Sequence, residues 1–447
     1  MNDDLFVNII IGIVGIIVLV AILKWPYIGV AISIAVLPII HIFPNIPLFS
    51  SISIPVGVVT LAAYLLQSKE RQKRHKRKLE PVYLFGFLFI FWTVVTNPEA
   101  SILSPDRIWL ITFVQLWVLM YLGGEVLVTP KHQETTMLIF AITSTVSALF
   151  AILQGQIAED ALSSARVAGL AVNANQAARY FVIAFVCYFY LRSKSGKPLP
   201  KFLFLVGMVI TFAGVFFTVS RSGILLLLGA FALIIIFQPR VKNRISLLVL
   251  LIIGLIVLNV FSESIFQIIR DIFPAIRMGT DTVGLRYSLW EAGWKMWLDH
   301  PINGVGVGQY NSNLLQYMQL IGGPERGGLS PHNTYVHVLS ETGIVGFFLF
   351  MAMLVNAIKN LWPSHSRLME ENEHLRNTWF IILLIISVGG ITITDLANKI
   401  LWLVLGVSVA FSKQKTIEAT DQVPESVQPS KTSATSIRIR RWLKNTK

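Results

Sequence analysis

The feature that most constrains this chain is a series of apolar stretches, each about as long as a bilayer is thick, recurring along most of its length. Residues 5–23 and 247–261 are almost uninterrupted apolar runs, and similar runs lie between and beyond them. A helix needs roughly 17–25 apolar residues to cross the hydrocarbon core, and in lipid a helix satisfies its own backbone. Of the 447 residues, 54% are hydrophobic and 14% charged, whereas a soluble domain carries about a quarter charged residues. The expectation is an all-α polytopic membrane protein. Spans are expected at 5–23, 27–43, 52–66, 82–96, 108–128, 135–153, 176–191, 202–219, 224–237, 245–261, 334–358, 379–394 and 400–411, hence about 12–13 transmembrane helices. The first is not a cleavable signal, because Asp3 and Asp4 flank it and no small-residue cleavage site follows. The single cysteine, Cys187, lies in an apolar run and has no intrachain partner.

A net charge of +13 could indicate nucleic acid, but its distribution points to a membrane. The Lys and Arg residues concentrate in short segments: "SKERQKRHKRK" at 68–78, "RSKSGK" at 192–197, "PRVKNR" at 239–244 and "RIRRWLKNTK" at 438–447. Alternating the spans puts all of these on one side. By the positive-inside rule that side is cytoplasmic, with the N-terminus outside and the C-terminus inside. Membrane lipids are the expected surroundings and nucleic acid is not a partner. Residues 1–412 read as the membrane domain, 262–331 as a long extracytoplasmic loop within it, and 413–447 as a basic cytoplasmic tail whose Ser, Thr, Pro and Lys content predicts disorder.

The long loop carries its own patterning. Residues 262–273 have helical apolar spacing with charges between, as an interface-lying helix has. Residues 285–301 place Trp290, Trp294 and Trp297 on one helical face, a placement that suits the headgroup zone. "NGVGVGQY" at 303–310 lacks the context of a dinucleotide loop and reads as a tight turn region. Then "SPHNTYVHVLSETG" at 330–343 sets His332, Asn333, His337 and Glu341 where a polar loop meets an apolar helix. His337 and Glu341, four apart, can meet on one helix face. Glu341 lies roughly opposite His332 on a straight helix.

"WKMWLDHPINGVGVGQYN" followed by "PHNTYVHVLSETGIVG" resembles the signature of the O-antigen ligase and polymerase superfamily of bacterial membrane glycosyltransferases. "RVAGLAVNANQAARY" at 166–180, with its Asn-x-Asn before a helix, and "TVSRSG" at 218–223 are similar to two further pieces of that family, in the same order. The resemblance implies a GT-C-like fold and metal-independent, inverting transfer of a glycan from undecaprenyl diphosphate to an acceptor hydroxyl, with no cofactor. The implied partners are a lipid-linked glycan donor and a lipid or glycan acceptor. The implied site is on the extracytoplasmic face of the cytoplasmic membrane.

Such a reaction needs a base, cations for the diphosphate and room for a lipid. The family motif carries the base onto His332, whose residue type suits proton removal near neutral pH. Arginine suits a diphosphate because it stays charged and binds oxygens bidentately; the candidates are Arg221, Arg286 and Arg166. Arg221 sits in a turn too short to leave the membrane surface, and Arg286 opens the Trp-rich helix. Arg179, Asn175, Asn333, His337 and Glu341 are supporting candidates, with His337 and Glu341 as scaffold. Arg326 reads as an exposed side chain.

The sequence has no Asp-x-Asp, no His-Glu-x-x-His, no cysteine pair and no Walker A loop, so no metal site is expected. Glu125, Asp395 and Lys399 read as charges at span ends. Two alternatives stay open: a repeat-unit polymerase of the same superfamily, and a polysaccharide or lipid transporter, whose signs would be internal repeats and ionisable residues at the bilayer midplane.

Overall fold

A computed structural model of the chain describes residues 2–42, 53–71, 79–97, 105–157, 167–239, 241, 243–249, 252, 282–323, 329–363 and 370–421. Among the described residues there is no strand. The helices are α1 (Asn2–Lys24), α2 (Pro26–Ala35), α3 (Ser53–Arg71), α4 (Pro81–Val95), α5 (Pro105–Val126), α6 (Pro130–Ile157), α7 (Ala174–Lys194), α8 (Pro198–Phe217) and α9 (Arg221–Phe237). They continue with α10 (Thr282–Asp299), α11 (Tyr310–Leu320), α12 (Thr334–Leu361), α13 (Glu370–Gly389) and α14 (Lys399–Asp421). Proline opens α2, α4 and α8, where its missing N–H costs no helical hydrogen bond.

The chain is an all-α polytopic membrane protein. Among the described residues four helices contain segments long and apolar enough to cross a membrane: Trp109–Val126, Pro130–Gln154, Pro198–Phe217 and Thr334–Leu361. Shorter apolar helices accompany them at Gly12–Lys24, Pro26–Ile39, Ile54–Gln67, Pro81–Val95 and Arg221–Phe237. Nearly every span expected from hydropathy falls on a helix; most of 245–261 lies outside the described residues, as do 262–273. Several boundaries differ, among them that of the span expected at 27–43, whose α-helix ends at Ala35. The span expected at 379–394 stops at Gly389, because Gly389–Gly390 opens a turn before α14. The Trp-rich helix begins at Thr282, so Arg286 sits in its second turn rather than at its start. Helix α14 continues past Ser412 to Asp421, through Lys, Gln, Glu and Ala residues that favour helix; residues 422–447 lie outside the described ones.

The centre of the bundle is α7, packed on α6, α8, α9 and α13, beside α14, packed on α5, α12 and α13. Apolar side chains of α7 from Phe181 to Val186 and of α14 from Ile400 to Phe411 are buried. Helices α5 and α14 touch through backbone, since a Cβ on Gly406 would collide with the Met120 carbonyl; small residues serve this purpose where helices meet in lipid. By contrast Ile13, Ile16, Ile17 and Val20 of α1 are exposed, as a lipid-facing edge requires.

Helices α10 and α11 pack on each other through Leu289, Ala292, Met296, Tyr310, Leu314 and Met318. This region, which the sequence places on the membrane face, is seated on a break in α12. Gly343 has φ +63° and ψ −168°, which interrupts that helix. The break frees carbonyls that the glycine run then satisfies. Val305 N donates to Ser340 O (2.9 Å), Gly306 N to Glu341 O (3.0 Å), and Ile344 N to Pro301 O (2.9 Å). Trp92 of α4 donates to Thr342 O (2.9 Å). The glycine run keeps the expected tight turns, with Gly304 N donating to His300 O (2.9 Å) and Gln309 N to Gly306 O (3.2 Å), and lies as a strap across the break. Glycine is required at its points of contact, where a Cβ on Gly304 would overlap the Glu341 backbone.

Candidate functional site

Four capped or strained turns meet at one end of the bundle. The first opens α7: Asn173 caps it, its side chain accepting from Gln176 N (2.9 Å). The second opens α9, where Ser220 Oγ accepts from Gly223 N (3.1 Å) and donates to Asn175 Oδ1 (2.8 Å). Asn175 thus ties the two helix starts together. Arg221 is the first residue of α9 and is exposed. Val219 before it is held at φ +49°, a conformation rare for a β-branched residue.

The third turn opens α12. Asn333 caps it, accepting from Tyr335 N (2.9 Å) and Val336 N (3.1 Å). His332 before the cap is half-buried with φ +48°. Trp290 on α10 donates to Pro331 O (2.8 Å), so α10 holds this turn in place. Arg286 is one helical turn earlier than Trp290, on the same face. Burial, and secondarily the positive charge of Arg286, hold the His332 imidazole below its ordinary pKa. It is therefore neutral at neutral pH and able to take a proton.

The fourth turn joins α13 to α14. Thr334 N donates to Gly390 O (2.7 Å), Thr334 Oγ1 donates to Ile393 O (2.8 Å), and Asp395 N donates to Thr334 Oγ1 (2.8 Å). Asp395 forms a fully buried ion pair with Arg179 of α7. Ser220 thus contacts Asn175, one turn of α7 carries from Asn175 to Arg179, and Arg179 contacts Asp395, whose backbone meets Thr334 beside the His332 turn.

Beside this chain of contacts lies a cavity of about 260 Å³, lined by Gln176, Tyr180, His337, Asp395, Asn398 and Lys399 among others. His337 Nε2 is 3.1 Å from Glu341 Oε1, and the same oxygen accepts from Tyr310 N (3.1 Å). This bears out the pairing of His337 with Glu341 and adds α11 to it. Among the described residues, His337 Nδ1 is buried with no hydrogen-bond partner.

Of the residues expected from sequence, Arg221, Asn175, Arg179, Arg286, His332, Asn333, His337 and Glu341 come to this end of the molecule. Arg166 and Arg326 lie outside the described residues. Sequence reasoning took Asp395 and Lys399 for charges at span ends; their position between two apolar runs was the signal that they belong to a site. Among the described residues no group of three or more His, Cys, Asp and Glu is placed to hold a metal ion.

Fold and site together define a multi-pass α-helical membrane protein with buried charge and arginine-bearing turns gathered at one end. Residues 206–351 match the model of the family described as O-antigen ligase, and over that stretch the chain is similar to that family. The match covers about a third of the chain and includes Arg221, Arg286, His332, His337 and Glu341. No curated protein matches the chain. The family supports a glycosyltransferase-like enzyme acting on lipid-linked glycans in a membrane.

Proposed function

We propose that the protein transfers a glycan from undecaprenyl diphosphate to an acceptor hydroxyl, with inversion and without a metal, at the outer face of the cytoplasmic membrane. The observation that carries this reading is the path from the Arg221 turn through Asn175, one turn of α7, Arg179, Asp395 and Thr334 to the His332 turn, with the charge of Arg286 felt at His332. Arg221 and Arg286 bind the diphosphate oxygens of the donor, with Arg166 assigned there by the family resemblance. Asn175 positions the Arg221 turn, and Asn333 caps the helix behind His332. The acceptor O–H loses its proton to His332 while its oxygen bonds to the anomeric carbon. The bond from that carbon to the diphosphate breaks, and the lipid diphosphate leaves as an anion stabilised by the arginines. Preorganised charge of this kind is usually the largest single source of rate.

Arg221→Ala and Arg286→Ala should each lower glycan transfer by about 10²–10³-fold, measured with lipid-linked donor in proteoliposomes. Lysine should rescue poorly, because a point charge lacks the bidentate fork. Transfer at wild-type rate in the double variant would exclude the diphosphate role. Activity should survive chelators. A second assignment of the base is favoured by one observation: His337, not His332, lines the cavity and has an unpartnered ring nitrogen. Lipid-borne, glycan and protein acceptors are all compatible with these groups, as is polymerisation onto a second lipid-linked repeat.

A further inference from the structure

One face of α10 is aromatic and lies beside, not within, the core that this helix forms with α11. Leu289, Ala292 and Met296 are buried in that core, and a Cβ on Gly293 would meet Val336 of α12. Arg286, Trp290, Trp294 and Trp297 recur at spacings of four, four and three, so they share another face. Trp294 is 50% exposed, and its ring lies against that of Trp297, with centroids 4.6 Å apart. Trp290 donates its indole N–H to Pro331 O (2.8 Å) and Trp297 donates to Pro301 O (3.2 Å). Both rings are thereby fixed in place. Glu291 and Lys295 are exposed along the border of the stripe.

These features favour a sugar over lipid headgroups as the occupant of this face. An indole that anchors a protein in the headgroup zone turns its N–H toward the wet side. The N–H groups of Trp290 and Trp297 are instead spent on backbone carbonyls, which leaves the ring faces to make contact. A pyranose presents C–H bonds on one face and hydroxyls around its rim. Its C–H bonds carry partial positive charge and pack on the negative face of an aromatic ring. Its rim hydroxyls suit carboxylate and ammonium groups placed as Glu291 and Lys295 are. The fixed rings cost little ordering when a sugar lands on them.

The order of groups along the helix gives the stripe a direction. A glycan on a lipid diphosphate reads diphosphate, then the anomeric carbon of the first sugar, then the sugars that follow. Helix α10 reads Arg286, then Trp290 at the His332 turn, then Trp294 and Trp297. From Arg286 to Trp297 the stripe is about 16 Å long at the helical rise per residue, room for more than one sugar. We infer that the face formed by Trp294 and Trp297 binds the non-reacting sugars of the donor, those that follow the one whose anomeric carbon is attacked. The inference rests on the glycosyl-transfer reading and deepens it, because it makes the protein select donors that carry an oligosaccharide over donors that carry a single sugar. Contacts remote from the reacting carbon then help to hold that carbon beside His332.

The test uses the full chain in phosphatidylcholine nanodiscs. The probes are oligosaccharides released by mild acid from the surface polysaccharide of the cells that make the protein, graded by size from a single sugar upward. Affinity should rise with length and level off once the stripe is filled. Trp294→Ala should weaken the longer fragments about tenfold, the loss of one stacked ring, and leave the single sugar unchanged; Trp294→Tyr should restore most of the loss. Because Trp294 is half exposed, these variants should fold, which thermal melting checks. With lipid-linked donors, Trp294→Ala should raise KM for those bearing several sugars and leave a single-sugar donor as it was. Affinity independent of length, or untouched when Trp294 and Trp297 are both replaced by alanine, would overturn the inference. So would quenching by brominated phosphatidylcholine of the fluorescence that Trp294→Phe removes, if the fragments leave that quenching unchanged, since the ring would then sit among lipids. A chain that binds the fragments through Trp294 yet transfers no glycan refutes the transfer reading and leaves the sugar track standing; intact transfer without such binding does the reverse.

Discussion

His332 and His337 flank the same helix cap and differ in what surrounds them. His332 occupies a left-handed turn beside Arg286; His337 is clamped by Glu341 next to the cavity. The two assignments of the base separate by substitution. His332→Asn suits the left-handed backbone better than alanine and removes the base, so lost activity would not reflect lost fold. If His332 is the base, transfer should fall by about 10²–10⁴-fold while donor binding persists, and His337→Ala should act mainly on stability. The reverse order would transfer the role to His337. The pH profile gives an independent check. The acidic limb of wild-type activity should lie below the usual histidine range, because burial and Arg286 both disfavour the imidazolium. In Arg286→Gln the residual activity should show that limb moved to higher pH; an unmoved limb would disconnect Arg286 from the titrating group.

At the scale of elements, the break in α12 and the strap laid across it decide where the site residues stand. A side chain at Gly343 would occupy the space of the Ile302 carbonyl, and its φ and ψ lie in a region open essentially to glycine alone. Gly343→Ala should therefore destabilise the protein by about 1–3 kcal/mol from backbone conformation alone, read as a lower melting temperature with loss of transfer. An unchanged melting temperature would mean that the strap is not held by the break. This element was only half legible in the sequence. The Asn-led helix starts, the four-residue spacing of His337 and Glu341, and the apolar runs are local signals that folding preserves. The pairing of "NGVGVGQY" with the middle of a helix is a contact between distant segments, and glycine spacing alone does not announce it. The same holds for Arg179 and Asp395, each visible as a charge near a span and neither visible as the partner of the other.

At the scale of the molecule, α7 and α9 each begin at a site turn and run to an end where basic residues lie, Arg192 and Lys194 for α7 and Arg244 beyond α9. Glu134 with Lys194, and Glu125 with Lys413, pair at that basic end. Cysteine introduced at Ser312, exposed on α11, should react with an impermeant thiol reagent in intact cells, and cysteine at Lys197 should not. The native Cys187 is buried and should stay silent. Labelling at Lys197 and not at Ser312 would put the site in the cytoplasm and end the proposed use of an undecaprenyl diphosphate donor at the outer face. Hydropathy was enough to place most helices, because it follows from the bilayer as solvent. It was silent on which helices are central, since α7 and the lipid-facing α1 are both rich in apolar residues and differ chiefly in what they touch.

The buried pair between Arg179 and Asp395 also bears on how the protein is made. Synthesis runs from the N-terminus, so α7 enters the bilayer long before the turn that carries Asp395 leaves the ribosome. Until then a guanidinium near the membrane end of α7 has no carboxylate to meet, and an unpaired charge at that depth is expensive. Until the last two helices arrive, the least costly place for that guanidinium is the water at the end of α7, and a chain cut short of Asp395 leaves it without that carboxylate.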